Sequence, residues 1–82
     1  MENENASMPE KKFVAGSISA TVWTNYGKTR DGEEISYRSV TLQRKMKNEK
    51  GEWESTNIFR LNDVPKAVLV LDKAFEYLAQ IY

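Results

Sequence analysis

The sequence predicts an α+β domain in which an antiparallel meander sheet of three to four strands is followed by one long C-terminal helix. Two observations predict this fold class. Apolar and polar side chains alternate over residues 13–25 and again over residues 35–47, which is the period of a half-buried strand. From Asn62 onward, apolar residues recur at steps of three and four, which is the period of an amphipathic helix.

The first twelve residues, MENENASMPEKK, contain no apolar run. We therefore expect residues 1–12 to form a disordered, solvated tail and residues 13–82 to form the single domain. In the first strand segment one face carries Ile18, Ala20 and Val22. The opposite face carries Ser17, Ser19, Thr21 and Trp23. Gly16 marks a bend or bulge in this segment, or divides it into two strands.

Turn signals at Gly27 and at Asp31-Gly32 precede the strand predicted at residues 35–47. One face of that strand carries Arg38, Val40, Leu42, Arg44 and Met46. The opposite face carries Tyr37, Ser39, Thr41, Gln43 and Lys45. A turn at residues 48–52, where Gly51 can adopt positive φ, leads to a further strand at residues 53–61. The phase of that last strand stays open, since Ile58 lies on one face and Trp53, Phe59 and Leu61 lie on the other.

Asn62-Asp63 is a helix N-cap signal, and Pro65 fits the first helical turn. One apolar row of the helix consists of Val64, Val68, Leu71, Phe75, Leu78 and Tyr82. An adjacent row consists of Ala67, Val70, Ala74, Tyr77 and Ile81. Together the rows cover about half of the circumference, whereas one packing surface needs roughly 100°.

A three-stranded sheet covers one side of such a helix, so the second row needs another surface. We expect a homodimer in which Val68, Leu71, Phe75 and Leu78 lie at the interface between two copies. The alternative is a sheet that curls around the helix and covers both rows within a monomer. Chain length also favours a partner, because a domain of 82 residues is near the limit of independent stability.

The chain contains no cysteine and no histidine, which excludes disulfides and a structural zinc site of the usual kind. The commonest general base and the strongest nucleophile are therefore missing, and we expect no enzyme activity, no cofactor and no metal. Asp31, Glu33 and Glu34 fit a solvated loop better than a carboxylate site. The longest apolar run, residues 67–71, is too short to span a bilayer, and the absence of cysteine fits a cytoplasmic protein.

Twelve basic residues balance twelve acidic ones, but residues 28–50 carry seven Lys or Arg and four acids, a local charge of +3. Trp23 and Tyr37 stand among small polar residues on the predicted outer face of the sheet, and base stacking uses aromatic side chains in this way. We therefore expect the sheet to bind single-stranded nucleic acid, with DNA favoured. The predicted binding residues are Trp23, Tyr37, Arg38, Thr41, Gln43, Arg44, Lys45, Lys47 and Trp53.

Two alternatives remain open at this point. Aromatic residues and threonine favour strands for structural reasons, so a structural role is the alternative interpretation for each of Trp23, Tyr37 and Trp53. The zero net charge favours a protein–protein interaction module that does not bind nucleic acid.

The order of a sheet and one long C-terminal helix resembles the fold of the transcriptional positive-cofactor-four and Whirly group. The segments SISATVWTN, YRSVTLQRKMKNEKGEW and NDVPKAVLVLDKAFEYL carry the resemblance and span most of residues 13–82. Members of that group are dimers whose helices pair and whose sheets bind single-stranded DNA, and they have four strands before the helix. The resemblance implies a binding sheet that includes Trp23, Tyr37, Arg44 and Lys45, and it requires Gly16 to divide the first segment.

Overall fold

The computed structural model describes residues 6–81. Its elements are β1 (Ala6–Ala15), β2 (Ile18–Lys28), β3 (Glu34–Lys47), β4 (Trp53–Thr56), a 3₁₀ turn (Leu61–Asp63) and the helix α1 (Val64–Ile81). The strands pair antiparallel in the order β1-β2-β3-β4. The predicted fold class, an antiparallel meander followed by one C-terminal helix, is confirmed, and the number of strands is four.

Strand β1 begins at Ala6, so residues 6–12 belong to the sheet and not to the predicted tail. Residues 1–5, which complete that predicted tail, lie outside the described residues. Most side chains of β1 are exposed, and the strand is held by its backbone ladder with β2, from Ala6 opposite Tyr26 to Ala15 opposite Ile18. Pro9 is compatible with this strand because β1 is an edge strand of the sheet. The first half of this edge strand is mostly exposed and has no hydrophobic pattern to reveal it.

Gly16 divides the first predicted strand segment in two. Gly16 and Ser17 form a two-residue connection between β1 and β2, and Gly16 has φ +62°. Positive φ at the first position of a two-residue hairpin turn is the geometry that glycine supplies without a steric cost. The turn predicted at residues 48–52 is also confirmed, with φ +81° at Gly51.

The core lies between one side of the sheet and α1, which packs mainly on β2 and β1 and little on β3. Its fully covered side chains are at most 8% exposed, and they are Ile18, Ala20 and Val22 of β2 with Ala67, Val70 and Ala74 of α1. Phe13, Val40, Leu42, Phe59, Tyr77 and Leu78 pack around them. Short side chains at the centre bring the helix backbone close to the sheet.

The two apolar rows of α1 have different environments. The row that begins at Ala67 faces the sheet. In the other row Val68 is 60% exposed, Leu71 40% and Phe75 68%, and Leu78 alone packs against the core. The alternative in which the sheet curls around both rows is therefore wrong for this protomer. A strip of apolar side chains on α1 has no cover among the described residues.

Glu10 connects β1, β2, β3 and α1 through one carboxylate. A β-bulge between Pro9 and Lys11 brings the side chain of Glu10 to the helix side of the sheet. Its Oε1 accepts hydrogen bonds from Thr24 Oγ1 (2.5 Å) and Arg38 Nε (2.8 Å), and its Oε2 accepts one from the hydroxyl of Tyr77 (2.5 Å).

These contacts change the acidity of both partners. The pKa of Glu10 falls from 4.5 to about 2, mainly because Arg38 donates to the carboxylate and further because Thr24 and Tyr77 do so. The pKa of Tyr77 rises, because its hydroxyl donates to the Glu10 carboxylate. The folded state therefore stabilises the ionised form of Glu10 relative to the protonated form.

We expect Glu10→Gln to lower the midpoint of thermal unfolding, Tm, at pH 7. The pKa of Glu10 is lower in the folded state than in the unfolded chain, so the stabilisation is complete above about pH 4.5 and is lost as pH falls towards 2. The Tm difference between wild type and Glu10→Gln should therefore shrink over that range, as measured by circular dichroism. Glu49→Gln, in an exposed turn, is the control and should leave Tm at pH 7 unchanged. A Tm difference that stays constant from pH 7 to pH 2 would contradict the assigned role of Glu10.

Candidate nucleic-acid interface

The side of the sheet away from α1, which we call the open face, is defined by the side chains that alternate with the buried residues of β2. Register and alternation assign to it Ser7, Pro9, Lys12 and Val14 of β1, Ser19, Thr21, Trp23 and Asn25 of β2, Ile35, Tyr37, Ser39, Thr41, Gln43, Lys45 and Lys47 of β3, and Trp53 and Ser55 of β4. Most of these side chains are polar and short. The open face is therefore a polar platform with a few large residues on it.

Charge is divided unequally between the two sides of the sheet. Among the residues just assigned to the open face there are three lysines, Lys12, Lys45 and Lys47, and no carboxylate. The acids of the four strands, Glu10, Glu34 and Glu54, lie on the helix side. A chain with zero net charge thus presents one cationic face, and its overall charge balance is no argument against an anionic ligand.

Three aromatic residues lie on the open face. The indole Nε1–H of Trp23 donates to Thr41 Oγ1 at 2.8 Å, which anchors the half-buried ring across β2 and β3. Tyr37 is 53% exposed and Trp53 is 65% exposed. The ammonium group of Lys47 lies 5.3 Å from the centre of the Trp53 ring, within the range of a cation–π contact. Large aromatic surfaces are therefore available to solvent beside a positive charge.

Hydrogen bonds fix the polar end of the open face near Tyr37. Asn25 Nδ2 donates to Ser39 Oγ at 2.9 Å and to the backbone carbonyl of Tyr37 at 3.2 Å. Asn25 Oδ1 accepts from Ser7 Oγ at 2.7 Å. From Tyr37 to Lys47 the face extends ten residues along β3, or about 33 Å at the usual rise of a strand.

A shallow polar concavity continues the open face where β4 ends at Thr56. Its volume is about 570 Å³, and it is lined by the open-face residues Thr41, Gln43 and Ser55 together with Leu42, Thr56 and Asn57. The volume is in the range of small-ligand sites. The lining offers hydroxyl and amide groups, which act as hydrogen-bond donors and acceptors.

Seven of the nine predicted binding residues lie together on the open face. They are Trp23, Tyr37, Thr41, Gln43, Lys45, Lys47 and Trp53. Trp53 pairs with Lys47, which settles the phase of the last strand, and Phe59 packs against the core after that strand has ended. Ile58 and Leu61 are exposed.

Arg38 and Arg44, predicted for the same site, lie on the helix side instead, because even-numbered positions of β3 point towards α1. Arg38 forms an ion pair with Glu10. Arg44 Nε donates to the carbonyl of Ile58 at 3.0 Å and lies 3.3 Å from Asp63 Oδ2. The same Asp63 oxygen accepts the backbone N–H of Arg60 at 2.9 Å, so Arg44 holds the segment that leads from β4 into α1.

Lys12 belongs to the open face but was missed by the sequence interpretation, which placed it in the tail. It pairs with Thr21 in the ladder between β1 and β2. The available signal was the alternation of Lys12 and Val14 with Phe13 and Ala15, which continues the period of the strand towards the N-terminus.

Comparisons of the chain with protein-family models, with curated proteins and with solved structures gave no match. Within residues 6–81 the one α-helix, α1, does not meet the length and hydropathy of a membrane-crossing helix. Across the same residues, no three acidic side chains are grouped as metal ligands.

We expect Arg44→Gln and Lys45→Gln to differ in stability although the two residues are adjacent. Arg44→Gln removes a charged partner from the largely buried Asp63 and should lower the free energy of unfolding by about 1–2 kcal/mol. Lys45→Gln changes an exposed side chain and should cost less than about 0.5 kcal/mol. Urea denaturation measures both values. Equal losses would contradict the assignment of these residues to opposite faces.

Proposed function

We propose that the protein binds single-stranded nucleic acid, with DNA favoured, as a homodimer that uses the open face of each sheet. The observation that carries this proposal is the combination, on one face, of solvent-accessible aromatic rings and three lysines without a carboxylate. Each component supplies one part of the recognition of a single strand.

The aromatic rings supply stacking. Base–aromatic stacking contributes about 1–3 kcal/mol per base and tolerates any base sequence, because every base has a π-face. Trp53 and Tyr37 expose more than half of their surface, and Trp23 lies between them in a fixed orientation. In a duplex the base faces are already stacked, so this surface suits unpaired bases.

The lysines and hydroxyl groups supply contacts to the sugar–phosphate backbone. Lys12, Lys45 and Lys47 neutralise phosphates, and serine and threonine hydroxyls donate to phosphate oxygens. For single strands, each neutralised phosphate contributes about 0.7 to the slope of log K against log salt concentration. Three lysines therefore predict a slope of about −2 for one protomer.

The uncovered strip of α1 supplies the dimer interface. Tyr77 contacts Glu10 and Phe13, so this flank of α1 lies above β1. At about 100° per residue, Leu71 and Phe75 project from the opposite flank, which lies towards β3.

On the helix side of β3, Val40 and Leu42 are only half-buried. Together with Val68, Leu71 and Phe75 on the flank of α1, they form an apolar surface at the junction of helix and sheet, which we call the apolar corner. The corner contains no charged side chain, and under a two-fold axis the same patch supplies both halves of an interface. A second copy is the favoured occupant because a domain of this size is near the limit of independent stability.

The apolar corner also favours a second candidate function, a protein-interaction module that receives a different protein chain on this surface. That candidate differs from the first in two measurable properties. It predicts a monomeric protein in solution and no affinity for oligonucleotides.

We expect a single-stranded deoxythymidine oligonucleotide of about 12 nucleotides to quench the tryptophan fluorescence of the protein at low salt. Affinity should fall with salt at a slope near −2 per protomer, and the matching duplex should compete poorly. Trp53→Ala should raise the Kd by roughly 5- to 150-fold, the equivalent of one stacked base. Lys28→Gln, on the helix side of β2, is the control and should bind like wild type. The absence of both quenching and an anisotropy change at low salt would rule out this function.

We expect light scattering to give twice the protomer mass of 9.5 kDa for the wild type. Phe75→Ser removes the largest exposed side chain of the apolar corner and should give the protomer mass. Leu69→Ser is the matched control, because Leu69 is also half-exposed but projects about 120° away from Phe75 around the helix. A wild-type protein that runs as a monomer, or a Phe75→Ser variant that stays dimeric, would contradict the proposed interface.

A further inference from the structure

A second, smaller cleft lies on the open face beside the turn between β1 and β2. Its volume is about 210 Å³, and it is lined by Lys12, Val14, Gly16, Ser17, Ser19 and Lys45. We call it the turn cleft. Its central residue, Ser19, pairs with Gln43, about 13 Å along β3 from the row of Trp23 and Ser39, and none of the three aromatic residues of the open face lines the cleft.

Ser19 is the unusual residue of the turn cleft. It is only 7% exposed and is the one buried polar residue among those described, yet no hydrogen bond joins its side chain to another described residue. Among the described residues no enclosed side-chain oxygen lacks a hydrogen-bond partner, so the Ser19 hydroxyl opens onto the cleft that it lines. Its donor and acceptor are therefore available to a ligand in the cleft.

Two ammonium groups flank this hydroxyl. Lys12 lies on β1 and Lys45 on β3, one strand to either side of Ser19 on β2. At the usual spacing of about 4.8 Å between strands, both long side chains reach a group seated above β2. Neither lysine forms an ion pair within the described part of the chain, and no carboxylate lines the cleft.

The backbone around the turn cleft is fixed. Lys45 N–H donates to Ser17 O at 2.9 Å, which ties the turn between β1 and β2 to the end of β3. Gly16 holds the turn with φ +62°. The backbone positions of Ser17 and Ser19 are therefore fixed relative to the strands that carry Lys12 and Lys45.

We propose that the turn cleft binds one phosphate group of the nucleic-acid backbone. Two cations and two hydroxyl donors around a small cavity without a carboxylate match the charge and the hydrogen-bonding needs of a phosphate, which presents several acceptor oxygens. This inference rests on the proposed function and adds a defined position for one phosphate of the bound strand. A phosphate held at the turn cleft sets where the strand enters the open face, so that the following bases lie along β2 and β3 towards Trp23.

The test compares the double variant Lys12→Gln/Lys45→Gln with wild type in titrations of a fluorescein-labelled deoxythymidine oligonucleotide at several salt concentrations. Because Lys12 and Lys45 share one phosphate in this arrangement, the wild-type slope should be about −1.4 per protomer instead of the −2 of three separate contacts, and loss of the shared contact should reduce its magnitude by about 0.7. Ser19→Ala removes a hydrogen bond but no charge, and it should weaken binding about tenfold with an unchanged slope. Lys11→Gln/Lys28→Gln removes two lysines from the helix side and is the matched control, with the wild-type slope expected.

A second measurement separates the possible sources of the phosphate. Inorganic phosphate alone should shift the backbone amide resonances of Gly16, Ser17 and Ser19 in wild type and not in the double variant. If the oligonucleotide binds with the same slope to wild type and to the double variant, the turn cleft is not a phosphate site although the proposed function stands. If inorganic phosphate shifts these resonances but no oligonucleotide binds, the cleft serves free phosphate and the assignment to a nucleic-acid backbone is overturned. If neither ligand has an effect, both the inference and the proposed function fail.

Discussion

The packing of a single helix on a single side of the sheet determines which surfaces this protein exposes. Contact between Ala67, Val70 and Ala74 of α1 and the buried residues of β2 holds the two layers close together. Helical periodicity directs the bulkier row that includes Phe75 towards one flank of α1, where Val68, Leu71 and Phe75 stay exposed. The same arrangement leaves the other side of all four strands without a covering layer. Both candidate interaction surfaces, the apolar corner and the open face, therefore result from the packing of α1 on one side of the sheet.

The two sides of β3 show how alternation assigns different roles to adjacent charged residues. Arg38 and Arg44 point towards α1, where they hold Glu10 of the edge strand and Asp63 at the start of the helix. Lys45 and Lys47 point away from α1, where no carboxylate of the paired strands faces them. The basic residues of this segment thus divide into two that stabilise the fold and two that create a cationic surface. The net charge of the chain is zero and therefore does not reveal the different charge on each side of the sheet.

Much of this architecture was predictable from the sequence because it depends on burial. Alternation identified the two faces of β2 and β3, and the helical period identified both rows of α1. Strand β1 was missed because its N-terminal half, around Pro9, is ordered by backbone pairing, which has no hydrophobic period. The bulge that turns Glu10 towards Tyr77 likewise depends on contacts between residues far apart in the sequence. Arg44 was assigned to the binding site because it belongs to a basic segment, although its phase with Val40 and Leu42 already indicated the helix side.

The proposed dimerisation and the proposed nucleic-acid binding are compatible in this geometry because they would use opposite sides of the sheet. The apolar corner lies beside α1, so a partner seated there leaves the open face of each protomer accessible. In the proposed complex, three lysines per face would neutralise few phosphates, so one protomer on its own would gain limited affinity from counterion release. Two linked faces would convert the second contact with the same strand into an intramolecular event, which raises the overall affinity without further charge on either face. For a neutral protein of 82 residues, the proposed dimer would therefore contribute to binding as well as to the stability of a small core.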